Sequence, residues 1–152
     1  MNHVSLRFPW TRVAFWGFGL NALWEFVQCV SLYDMWSMSF WRAVVWMWGA
    51  ILGDVLVVLG VAALAVRLVG AARLRPPDGA GWAALLGVGL VAAVFLEWAA
   101  QALGLWGYTD LMPTLAVAGR EVGLTPVVQV TLLPAFSVRM AHRKSGATTD
   151  RL

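Results

Sequence analysis

The sequence predicts an all-α fold, a four-helix transmembrane bundle with both termini in the cytoplasm. Three observations predict it. Of 152 residues, 61% are hydrophobic and 12% charged, about half of the roughly 25% charge that coats a soluble domain. Four stretches reach the roughly 17–25 mainly apolar residues that a helical span requires. Nine of the eleven Lys and Arg fall on one side of those stretches, as the positive-inside rule expects of cytoplasmic segments.

The first span runs from about Val13 to Leu32 and the second from about Ala43 to Val66. Arg67, Arg73, Arg75, Pro76, Pro77, Asp78 and Gly79 then make a polar connection. The third span covers about Gly81 to Leu105, and the fourth about Val122 to Val138. Thr125 before Pro126 reads as an N-cap followed by proline at the first helical position. Pro134 inside the last span removes a backbone donor and is expected to kink it. Between spans three and four, Leu111 to Ala118 is expected to lie along the interface or to re-enter the bilayer under cover of protein or water. Residues 1–144 are thus read as one transmembrane domain, and 145–152 as a polar, disordered tail.

Arg7 and Arg12 precede span one; Arg67, Arg73 and Arg75 separate spans two and three; Arg139, Arg143, Lys144 and Arg151 follow span four. Only Arg42 and Arg120 fall opposite. An even number of spans agrees with that bias, and an inner (plasma) membrane location follows as the expectation. Trp10 and Trp82 mark one boundary, and Tyr33, Trp36, Trp41, Trp106 and Tyr108 the other, as interfacial belts do.

Several function classes are disfavoured. The net charge of +3 flanks spans and forms no continuous groove, so nucleic acid is not an expected partner. Cys29 is the single cysteine, and His3 and His142 lie outside the spans, so neither a metal nor a haem cofactor is expected. The N-terminus has basic residues before an apolar run, as a signal peptide does. Asn21, Glu25 and Gln28 interrupt that run, which favours an uncleaved span.

Glu25, Asp54 and Glu97 are the candidate catalytic residues. An acid at a helix centre costs about 2.5–3.5 kcal/mol on insertion scales, so all three are expected to face the bundle interior, water or a ligand. At 1.5 Å per residue, Glu25, Glu97 and Gln129 fall roughly 12 Å below one surface, with Asp54 somewhat deeper, near Asn21. Asn21, Glu25 and Gln28 share one helical face, as do Glu97 and Gln101. Gly49 and Gly53 form a small-residue pair that would let another helix approach Asp54.

Neutral amides at Asn21, Gln28, Gln101 and Gln129 are ordinary glue between membrane helices, and in a pocket they become ligand contacts. Trp24 and Trp98 adjoin glutamates and are read first as bulk, Trp24 also as a ligand-facing surface. Trp106, Tyr108 and Asp110 fall where a pocket mouth would lie, though a belt accounts for them more simply. Arg120 could pair with a pocket acid or hold an anionic head group.

The run Asn21-Ala-Leu-Trp24-Glu25-Phe-Val-Gln28 with Leu32-Tyr33 resembles the first span of a group of small four-span bacterial membrane proteins. Trp106-Gly-Tyr108, Met112-Pro113 and Gly123-Leu-Thr-Pro126-Val-Val-Gln129 resemble the same group, which implies acids in spans two and three but no particular chemistry. Asn21, Trp24 and Glu25 also resemble, more locally, the Asn-x-x-Trp-Glu run of integral-membrane meroterpenoid cyclases, which implies a catalytic acid in the span. Two expectations follow. One is a pocket that binds a lipid, an isoprenoid or another hydrophobic small molecule and processes it by acid–base chemistry. The other is a non-enzymatic carrier, a proton or cation pathway, or an accessory subunit, with membrane lipid, a second copy or a larger membrane complex as partner.

Overall fold

The computed structural model describes residues 8–143; His3, Arg7, Lys144, Arg151 and the expected tail lie outside them. Four α-helices are each long and apolar enough to cross a membrane: α1 (Trp10–Ser31), α2 (Phe40–Val69), α3 (Gly79–Leu103) and α4 (Leu124–Ala141). Their bounds lie within three residues of the expected spans. Successive helices pack on one another, α4 closes against α1, and α2 also meets α4, whereas α1 and α3 are not among the pairs that pack.

Local chemistry sets the ends. The Asp78 carboxylate accepts from the Gly81 backbone N–H at 2.8 Å and caps α3, and Gly104 ends that helix with φ of 63°, a left-handed cap that glycine adopts freely. At α4 the expected cap is corrected. The helix starts at Leu124 with Gly123 as N-cap, and the Thr125 hydroxyl instead reaches Met112 Sδ at 3.1 Å.

The segment before α4 is extended and pairs with itself. Strands β1 (Thr114–Val117) and β2 (Arg120–Gly123) form an antiparallel hairpin, pairing Val117 with Arg120 and Thr114 with Gly123, so the fold is a helical bundle with a small sheet. Ala118 and Gly119 turn the chain with φ of 46° and 77°, the sign pattern of the tight hairpin turn that matches strand twist. Further back, Tyr33 and Tyr108 form a backbone bridge, and the Thr109 N–H donates to the Leu32 carbonyl at 3.0 Å. The connection is thereby pinned to the end of α1.

Two ends can be named from contacts. At the arginine end, Arg12 donates to the Arg143 carbonyl at 3.5 Å, His142 packs edge-on against Phe8, and Arg75 stands over the Phe8 ring. Its core is Val13, Val58, Ala62, Leu85, Ala135 and Val138 with their neighbours. Close approaches occur where a side chain would not fit. A Cβ on Gly89 would lie 2.9 Å from the Val130 carbonyl oxygen, which Pro134, four residues on and lacking an N–H, leaves without its helical donor. The expectation for Gly49 and Gly53 is overturned: both are exposed, and a Cβ on either would meet nothing. A glycine pair marks an approach only when its face is turned inward, and this one is turned out.

Candidate functional site

The hairpin half of the core is polar. Asn21 and Glu25 enter it from α1 one turn apart, Asp54 from α2 and Gln129 from α4. Gln129 Nε2 lies 3.0 Å from Asn21 Oδ1, 2.8 Å from Glu25 Oε1 and 2.7 Å from Asp54 Oδ2. Asn21, Glu25 and Gln129 are buried, and Asp54 is half-buried. Asn21 donates in turn to the Gly17 carbonyl at 2.8 Å. The Cys29 thiol donates to the second Glu25 oxygen at 3.0 Å. An amide nitrogen carries two hydrogens, so three acceptors share two donors at Gln129.

Glu97 does not join that cluster. It is buried, but the Tyr108 hydroxyl donates to it and accepts from the Gly123 N–H at 3.2 Å. Glu97 is on α3, whose main contacts are with α2 and α4, and among the described residues its hydrogen bond comes from the connection and not from Gln129. Gln101 likewise bonds the Trp106 carbonyl at 3.4 Å and not Glu97. Gln28 accepts from the Trp24 indole at 2.5 Å and donates to the Tyr33 hydroxyl at 3.3 Å.

Tyr33, Trp106 and Tyr108 cluster beside these groups: Tyr33 packs on both of the others, at 6.2 and 5.7 Å between ring centroids. Burial pushes the Tyr33 phenol up, with the Glu97 and Glu25 carboxylates adding to the effect. Burial, then the bond to Glu97, pushes Tyr108 up to about 12, so both phenols stay protonated at neutral pH. Trp36 and Trp41 remain exposed, as a belt requires.

Two cavities flank the connection. A cleft of about 610 Å³ opens beside the hairpin, lined by Gln101, Tyr108, Asp110, Thr114, Arg120 and Glu121 among others. Arg120 is exposed and, among the described residues, makes no ion pair with an acid. A groove of about 350 Å³ lies between α1 and α4, lined by Leu20, Leu23, Trp24, Val27, Thr125 and Leu133, with Gln28 and Leu32. Thr125, Gln129 and Leu133 follow one another at helical spacing, so the groove runs beside the Gln129 cluster.

The cluster was legible from depth and helical face. Tyr108 and Cys29 were missed as partners of the acids, and Tyr33 as a partner of Gln28. Cys29 stands four residues after Glu25, the spacing that makes helical neighbours, and that signal could have found it. No protein-family model, curated protein or solved structure matches the chain.

Proposed function

We propose that this chain is a multi-pass protein of the plasma membrane, with both termini cytoplasmic, whose buried acids perform acid–base chemistry on a lipid or isoprenoid ligand. The observation that carries the reading is the convergence of Glu25, Asp54 and Asn21 on the Gln129 amide. Two carboxyl groups bound to one nitrogen repel when both are ionised in a low-dielectric site. A single proton held between them relieves that repulsion and supplies the donor that the third acceptor lacks. Such a pair can protonate an alkene carbon from Glu25 and take a proton from the neighbouring carbon at Asp54, so that the double bond moves or a ring closes with no net change in protons. The Trp24 face beside Glu25 suits a cationic intermediate. The resemblance to the meroterpenoid cyclases at Asn21, Trp24 and Glu25 points the same way.

Orientation rests on the arginine end, where Arg12 reaches Arg143 and Arg75 stands over Phe8 beside His142. Among the described residues, Ser137 is the buried polar side chain of the core below Asn21, and it donates to its own helix at Leu133, which favours a pocket over a proton or cation pathway. A proton or cation route needs polar groups or water along the whole depth.

The test is isotopic. Protein in nanodiscs is incubated in D₂O with an isoprenoid alkene, and deuterium in the recovered lipid is read by mass spectrometry. Wild-type protein is expected to incorporate label at least ~100-fold faster than Glu25→Gln, the usual scale of general acid catalysis. Equal rates would remove the reading.

A further inference from the structure

The cleft and the groove are neighbours. Their dividing wall is the stretch from Tyr108 to Met112: Thr109, which lines the cleft, donates to the carbonyl of Leu32, which lines the groove. Met112 of the cleft likewise accepts from Thr125 of the groove. The two spaces differ in chemistry. The groove is apolar and opens on the lipid-facing side of α1, where Leu23 and Val27 are 70% and 68% exposed. The cleft carries two carboxylates, Asp110 and Glu121, and one guanidinium, Arg120, and among the described residues these charges make no ion pairs with one another.

We infer that one single-chain amphiphile occupies both, its hydrocarbon chain in the α1–α4 groove and a zwitterionic, amine-bearing head in the cleft. The groove runs from Leu20 to Leu32, roughly 18 Å at 1.5 Å per residue, which suits the length of one acyl or prenyl chain. Its volume sits near the low end for ligand pockets, too small for the paired chains of a bilayer phospholipid. Arg120 complements a phosphate by forked hydrogen bonding, and Asp110 and Glu121 complement an ammonium. The junction of head and chain then crosses the Tyr108–Met112 stretch that borders both spaces, and the chain passes the face of α4 that carries Gln129. The inference rests on the acid–base reading and names its substrate class.

The probe is a lysophosphatidylethanolamine with a brominated C16 chain, which quenches nearby tryptophan, added to protein in phosphatidylglycerol nanodiscs. Saturable quenching is expected at a concentration at least ten-fold lower than for the brominated fatty alcohol or the matching lysophosphatidylglycerol. Asp110→Asn with Glu121→Gln should abolish that advantage, and Trp24→Phe should remove most of the quenching. Equal affinity for the amine-free probes, or quenching that survives in Trp24→Phe, would overturn the inference. The head-group comparison uses unmodified protein and stays decisive if a variant fails to fold. Amine-selective binding without deuterium incorporation would sink the acid–base reading alone, whereas incorporation without head-group preference would sink only this one.

Discussion

The same four helices are joined in two different ways, by side-chain hydrogen bonds in the hairpin half and by shape in the arginine half. In the hairpin half, Gln129 ties α4 to α1 and α2, and Tyr108 ties the connection to α3. In the arginine half, Val58, Ala62, Ala65, Leu85, Ala135 and Val138 meet through apolar contact. Hydrocarbon is as apolar as leucine, so side chains there gain little by leaving lipid, and close packing of small residues carries the contact. Directional bonds tolerate fewer arrangements than apolar contact does. The polar half therefore fixes helix rotation, and the apolar half supplies contact area.

That contrast can be broken most sharply at Gln129. Gln129→Leu is expected to cost about 2–3 kcal/mol in reversible unfolding, since it strips donors from two buried acceptors and a half-buried one. Ser137→Ala, which loses only a bond within its own helix, should change stability by less than ~0.5 kcal/mol. Equal effects would mean that the polar cluster holds nothing together. Next in size is Gly89→Ala, which drives a methyl against the Val130 carbonyl and is expected to cost about 1–3 kcal/mol. Gly53→Ala, on the open face of α2, should instead stabilise by up to ~1 kcal/mol through helix propensity. Thermal unfolding of the two variants side by side checks both signs.

Smaller again is the hairpin. Ala118 holds a positive φ at a cost of about 1 kcal/mol for a residue with a Cβ. Ala118→Gly should recover much of that, seen as slower amide exchange across β1 and β2. The smallest effect belongs to the arginine end. Burial, followed by the Arg75 and Arg12 charges, lowers the His142 pKa. Its unfolded counterpart then binds a proton first as pH falls below about 6.5. The stability that neutral His142 contributes is therefore present above that pH and declines below it. Melting temperature followed from pH 8 to pH 5 should fall less in His142→Gln than in wild type, and identical slopes would refute the assignment.

How much of this was legible depended on which interactions are periodic. The spans followed from apolar length and from the punctuation at Pro76, Pro77 and Asp78. Counting depth set Glu25, Glu97 and Gln129 at one level with Asp54 and Asn21 just beneath, because rise per residue is nearly constant in a helix. Glu97 escaped the same reasoning, since depth says nothing about which helices are neighbours, and its true partner comes from a connection that folds back. The hairpin escaped because strands of four residues are too short for alternation to register, although Ala118-Gly119 between Val117 and Arg120 is a turn signal in hindsight. Gly49 and Gly53 misled because spacing alone carries no information about which way a face points.

The helices also differ in length, with 30 residues in α2 and 18 in α4. At 1.5 Å per residue these are roughly 45 Å and 27 Å, on either side of the ~30 Å thickness of bilayer hydrocarbon. A bilayer meeting both must let the long rod lean while it thins beside the short one. The sheet sits above the start of α4, so thinning on that side would bring phospholipid phosphates closer to the Tyr108 hydroxyl than the average leaflet allows. Sorting between thick and thin membranes would then set how readily a guest reaches the acids.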